Sequence, residues 1–167
     1  MPFSPLLYIH GSDSSGQTYK AQVIRRAFPH LLSPDFTGTL SERMAQLGAL
    51  LESTEGWTLI GSSLGGLMAA LYAAKHPQRL RKLILLAPAL TLPEFAAIPP
   101  ASIHVPTVIV HGRQDDVVPI TATRQIAGQV FTSLTFLEVE DDHRLHRTAE
   151  ALDWTSLLQQ SKRRRGR

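Results

Sequence analysis

The sequence predicts an α/β protein: a three-layer α/β/α sandwich built on a six-stranded, mainly parallel sheet. Three observations carry that prediction. Leu6-Leu7-Tyr8-Ile9, Leu83-Ile84-Leu85-Leu86 and Thr107-Val108-Ile109-Val110 are apolar or β-branched throughout, as strands buried on both faces must be. Such runs alternate with helix-length amphipathic segments, so each strand returns to the sheet through a right-handed crossover. The chain has 167 residues, 43% of them hydrophobic, enough for one domain around one core. We expect residues 1–160 to form that domain and residues 161–167 to be a disordered basic tail.

The elements follow in order. The first strand, Leu6 to Ile9, ends in His10-Gly11. Gln17 to Phe28 puts Tyr19, Val23, Ile24 and Ala27 on one helical face, and Pro29 stops it. His30 to Phe36 reads as a weak, proline-interrupted strand near a sheet edge. Thr39 or Ser41 can cap the next helix, which carries Met44, Leu47, Leu50 and Leu51. A strand at Trp57–Ser62 leads into a helix from Leu64 to Lys75, closed by Pro77. The strand at Leu83–Leu86 is followed by a proline-rich segment from Ala87 to Pro106. After the strand at Thr107–Val110, the Pro119–Val130 region reads as a helix with proline in its first turn. Leu134–Val139 is the last strand and Leu145 to Leu158 a closing helix.

Composition narrows the function. With no cysteine in the chain, disulfides, thiolate metal sites and a cysteine nucleophile are excluded. No run of eighteen apolar residues suggests a membrane span. No basic leader precedes the first strand, and we expect a cytoplasmic location. The net charge of +3 belongs to the terminus: removing the five positive charges of Lys162–Arg167 turns it into −2. Without interleaved aromatic residues to stack bases, that run reads as a solvated end, and a nucleic-acid partner is not expected. Gly-x-x-x-x-Gly-Lys-Ser/Thr, Gly-x-Gly-x-x-Gly and His-Glu-x-x-His are all missing, so the motifs call for no nucleotide, other cofactor or metal.

Chemistry concentrates at Gly61-Ser62-Ser63-Leu64-Gly65-Gly66. A serine between two glycines, at a sharp turn from strand to helix, is the pattern of a nucleophile elbow. The turn brings the residues two before and two after the serine nearly into collision, so both must be tiny. Gly61 and Gly65 satisfy this for Ser63, whereas Ser62 would be flanked by Ile60 and Leu64. A serine hydroxyl needs a base. For an elbow serine the chain order is serine, acid, histidine, which leaves His143 and His146. His143 lies in the loop after the last strand, and His146 reads as a solvated helix residue. The acid must orient the imidazole. Asp115 or Asp116, just beyond a strand end, can do this. Asp141 and Asp142 abut His143 and read as loop-structuring, and Asp35 is a reserve. An oxyanion would find donors in the backbone N–H of Leu64, at a helix N-terminus, and in that of Ser12, in the loop after the first strand.

Three separated motifs together resemble the α/β-hydrolase superfamily: Tyr8-Ile9-His10-Gly11-Ser12, Ile60-Gly61-Ser62-Ser63-Leu64-Gly65-Gly66 and His111-Gly112-x-x-Asp115-x-x-Val118-Pro119, with His143 where the family places its histidine. The likeness is greatest to small, lidless bacterial serine esterases. It implies Asp115 rather than Asp116 as the acid, and an ester or thioester hydrolase using Ser63, His143 and Asp115 on a small-molecule or acylated substrate. The N-terminal antiparallel strands and inserted cap of larger members are missing. Only Ala89 to Val105 stands where a cap would be, which implies an open site, bordered by Leu92, Phe95 and Ile98 unless these pack on the sheet. A second reading, from another class, is an inactive hydrolase fold serving as a binding module. Retention of all three polar residues speaks against it.

Overall fold

The computed structural model describes residues 4–159. The basic run Lys162–Arg167 lies outside them. Five strands form one sheet in the order β1-β2-β3-β4-β5: β1 (Leu6–Ile9), β2 (Trp57–Ser62), β3 (Leu80–Leu86), β4 (Thr107–Gly112) and β5 (Leu134–Val139). Every neighbouring pair is parallel.

Alternate strand residues point to opposite faces, and the core divides accordingly. Leu7, Ile9, Leu59, Leu83, Leu85 and Ile109 share a cluster with α2 (Leu40–Leu51), α3 (Leu64–Lys75), the short α4 (Pro93–Ala96) and α5 (Ile120–Val130). Leu6, Tyr8, Ile60, Ile84, Leu86 and Val110 pack on the other side with α1 (Tyr19–Ala27), α6 (His146–Ala151) and α7 (Trp154–Leu158). Strands covered on both faces cannot alternate polar and apolar residues, which is why these runs are apolar throughout.

The expected sixth strand, His30 to Phe36, is reduced to one parallel bridge, Leu7 with Leu32. Leu32 donates to the Leu6 carbonyl at 3.0 Å and accepts from the Tyr8 amide at 2.8 Å. The next donor in such a ladder is residue 34, and Pro34 has no N–H. The expected single helix from Leu145 to Leu158 is broken instead. Leu152 is extended (φ −65°, ψ 136°), and Asp153 caps a new helix by accepting from the Ser156 amide at 3.0 Å. The Asp153 side chain offers the backbone an alternative to a continuing helix. Of the two possible caps for α2, Thr39 is used, in a reciprocal capping box with Glu42. Phe95 is buried and lies parallel to Phe131, and Ile98 packs on the same core. Leu92 is exposed, and none of the three lines the cavity at the site.

Candidate active site

Ser12, Ser63, Asp115 and His143 all follow the carboxyl ends of strands, where open α/β sheets bind ligands. Ser63 joins β2 to α3 with φ 54° and ψ −115°, a strained conformation for a residue with a side chain. Both sides of its peptide are held by β3 and the segment beyond: the Ser63 amide donates to Leu86 O, and the Ala89 amide donates to Ser63 O, each at 3.0 Å. The steric demand on the flanking glycines is severe. A Cβ on Gly61 would lie 2.3 Å from Gly65 O, and one on Gly65 would lie 2.0 Å from Ile9 O.

Ser63, His143 and Asp115 form a hydrogen-bonded chain. Ser63 Oγ lies 3.1 Å from His143 Nε2, and His143 Nδ1 lies 2.8 Å from Asp115 Oδ2. Asp115 Oδ1 accepts from the amides of Val117 at 2.9 Å and Val118 at 2.8 Å. Burial alone would raise the Asp115 carboxyl. The bonds from the Val118 amide, His143 and the Val117 amide outweigh it, and the net shift is downward. Asp116 is exposed, and His146 begins α6 on the surface, its ring 4.6 Å from that of Tyr19. Asp141 and Asp142 build the histidine loop. Asp141 accepts from the Thr148 amide and hydroxyl, and Asp142 from the Arg144 amide.

The loop after β1 lies against Ser63: a Cβ on Gly11 would be 3.6 Å from Ser63 Cβ. Ser12 lines the same cavity as Ser63 and His143. Leu64 is the first residue of α3, so its N–H has no partner within the helix. Asp35, weighed above as an acid, holds this loop instead, its carboxylate accepting from the Gly16 amide at 2.7 Å.

The roles of three charged or titratable side chains of this region were not read from the sequence. Arg43, buried in α2, donates to the carbonyls of Gly38 (3.1 Å), Gly11 (3.3 Å) and Ser12 (2.9 Å), which ties the loop to the helix. Lys20, buried in α1, donates to Arg144 O at 2.7 Å and so joins α1 to the histidine loop. Burial lowers its ammonium to about 8, partly offset by Asp142 and Asp141. His111 is fully buried, with Nε2 2.9 Å from Val118 O and 3.1 Å from Asp115 Oδ2. Burial lowers its pKa, so the ring is neutral near pH 7, its Nε2–H shared by those two acceptors. A signal for two of these exists in the sequence. Lys20 falls in the stripe of Val23, Ile24 and Ala27, and Arg43 in that of Leu47, Leu50 and Leu51. A charge within an apolar stripe is buried, and therefore has a partner.

With that geometry in hand, comparison with known proteins places the chain. A profile of the alpha/beta hydrolase fold family matches residues 10–104, more than half of the chain. The chain belongs to that family. No curated protein sequence matches significantly. Among solved structures, Est1E from Butyrivibrio proteoclasticus is 21% identical with a TM-score of 0.78, over 94% of this chain and 88% of its own. Alpha/beta hydrolase domain-containing protein 10 from mouse is 17% identical with a TM-score of 0.78, over 92% and 87%. An alpha-beta serine hydrolase homologue from Coxiella burnetii is 21% identical with a TM-score of 0.75, over 93% and 83%. At such identities the likeness establishes the α/β-hydrolase fold of this chain. The family's inserted cap is not evident: α4 and its proline-rich surroundings occupy that position. Among the described residues, no helix is long and apolar enough to cross a membrane, and no cluster of three or more His, Asp or Glu side chains could hold a metal ion.

Proposed function

We propose that this protein is a serine hydrolase that cleaves carboxylic ester or thioester bonds through an acyl-enzyme. The observation that carries the reading is the chain of bonds from Ser63 Oγ to His143 Nε2 and from His143 Nδ1 to Asp115 Oδ2, at 3.1 and 2.8 Å. Proteins of like fold named as an esterase and as a monoacylglycerol lipase lend general support.

In this scheme Ser63 Oγ bonds to the acyl carbon as its proton passes to His143 Nε2. The carbonyl π pair moves onto oxygen, where the amides of Leu64 and Ser12 receive the charge. Asp115 fixes the His143 tautomer and stabilises its charged form. Collapse of the intermediate breaks the bond to the alcohol or thiol, which takes the proton from His143. Water then repeats the sequence against the acyl-enzyme and frees the acid. Every step uses side chains, backbone amides and water. The test is labelling by an active-site-directed fluorophosphonate: wild type is labelled and Ser63→Ala is not. Equal labelling of both would overturn the assignment.

A further inference from the structure

The wall of the cavity at Ser63 says what kind of substrate enters it. The cavity, of about 530 Å³, is within the range of small-molecule sites. Such sites are mostly apolar, and this one is not. Among the described residues, no aliphatic side chain lines it, and apart from Gly11 every residue on its wall is polar, charged or tyrosine. A hydrocarbon chain would there displace water from hydroxyls and charges without replacing their hydrogen bonds, which is unfavourable.

The polar groups have a sign. Lys20 and Arg144 lie on the wall, and Lys20 is only 9% exposed. The Arg144 carbonyl takes one of the three donors of the Lys20 ammonium. The N-termini of α1 and α3 open onto the same space, through Thr18 and Tyr19 and through Ser63. Each brings the positive end of a helix dipole. The Tyr8 hydroxyl, fully buried on this wall near Thr18 and Ser62, makes no hydrogen bond of good geometry. Asp13 is the carboxylate on the wall and stands at its exposed rim. A short anion would supply acceptors for the remaining donors of Lys20 and for the Arg144 guanidinium.

Resting on the hydrolase reading above, we propose that the substrate is a short ester or thioester bearing a carboxylate, which binds between Lys20 and Arg144 while its acyl carbon meets Ser63. The carboxylate belongs to the acyl part or to the alcohol part, and two arms of one experiment distinguish them. The acyl arm compares monomethyl succinate with methyl pentanoate. The alcohol arm compares O-acetylglycolate with propyl acetate. Hydrolysis is followed by pH-stat at constant ionic strength, alongside fluorophosphonate labelling.

In one arm the anionic ester is favoured in kcat/KM by about tenfold or more, the scale of one charge-assisted hydrogen bond. Lys20→Met removes about tenfold of that ratio; comparing ratios cancels intrinsic reactivity. Arg144→Gln, at an exposed position, lowers the ratio in the same direction and serves should Lys20→Met fail to fold. Methyl decanoate is a poorer substrate than methyl pentanoate. Labelling with ratios near one in both arms, or with no turnover in either, overturns the substrate class and leaves the nucleophile standing. Neither labelling nor turnover overturns the hydrolase reading, and this inference with it.

Discussion

Gly65→Ala is the sharpest probe of how the fold positions Ser63. The added Cβ would lie 2.0 Å from Ile9 O, 2.6 Å from Ile9 C and 2.7 Å from His10 O. All three atoms are backbone at the end of β1, so no side chain can rotate away. Reaching an ordinary non-bonded contact of about 3.5 Å requires α3 and β1 to part by more than about 1 Å. Overpacking of this kind costs typically 1–3 kcal/mol and occasionally more, and with backbone on both sides we expect about 3 kcal/mol. The same movement pulls the Ser12 amide from Ser63, and about 1 Å of misplacement can cost about 10²-fold in rate. Gly128→Ala is the control. Gly128 is exposed within α5, and a Cβ there meets nothing within 4 Å. Alanine in a helix interior is favoured by about 0.5–1 kcal/mol. One added methyl therefore shifts stability in opposite directions at the two sites, by about 4 kcal/mol in all from these two estimates. Urea unfolding reads the stabilities and fluorophosphonate labelling reads the site. Equal urea midpoints for the two variants, or a wild-type labelling rate for Gly65→Ala, would refute the steric account.

Other substitutions test the supporting residues. Asp115→Asn presents an amide N–H to His143 Nδ1 and forces the wrong tautomer, so turnover should fall about 10⁴-fold while the protein stays folded; a loss under tenfold would argue against the orienting role. The Asp115 carboxyl is held below its unfolded value of about 3.9. Its contribution to stability is complete above that value and disappears as pH falls through the lower folded one, so the stability gap between wild type and Asp115→Asn narrows there. Arg43→Met frees the carbonyls of Gly11 and Ser12, and kcat should drop about 10²-fold; an unchanged kcat would mean the loop holds its shape unaided. Lys20, facing Asp142, Asp141 and Arg144, has a folded value of about 8 against about 10.4 unfolded. Below about 8 both states are charged, and the burial cost, about 3 kcal/mol, is fully present. Stability then rises with pH up to about 10.4. Lys20→Met should be the more stable protein at pH 7, by about 1–3 kcal/mol, with the advantage shrinking toward pH 10. A gap independent of pH would exclude ionisation as its source.

What was legible in the sequence was local. Gly61 follows from the crowding of one turn, where its Cβ would meet Gly65 O and Gly66 Cα, whereas Gly65 is required by the end of β1, whose Ile9 and His10 carbonyls its Cβ would strike. Runs of apolar residues declared strands covered on both faces, and their carboxyl ends marked where polar residues gather. Five of the six expected strands are in the sheet. The sixth ends after one bridge because Pro34 lacks the donor the next rung needs, and Asp153 splits the closing helix by capping a new one. Both residues were visible in the sequence, and only the register of their partners told what they would do. The roles of Lys20, Arg43 and His111 were decided by tertiary structure alone. A buried charge is stable only beside partners, and the sequence does not say which carbonyl, 31 or 124 residues away, will be that partner. Local sterics designate the serine, and long-range packing determines what surrounds it.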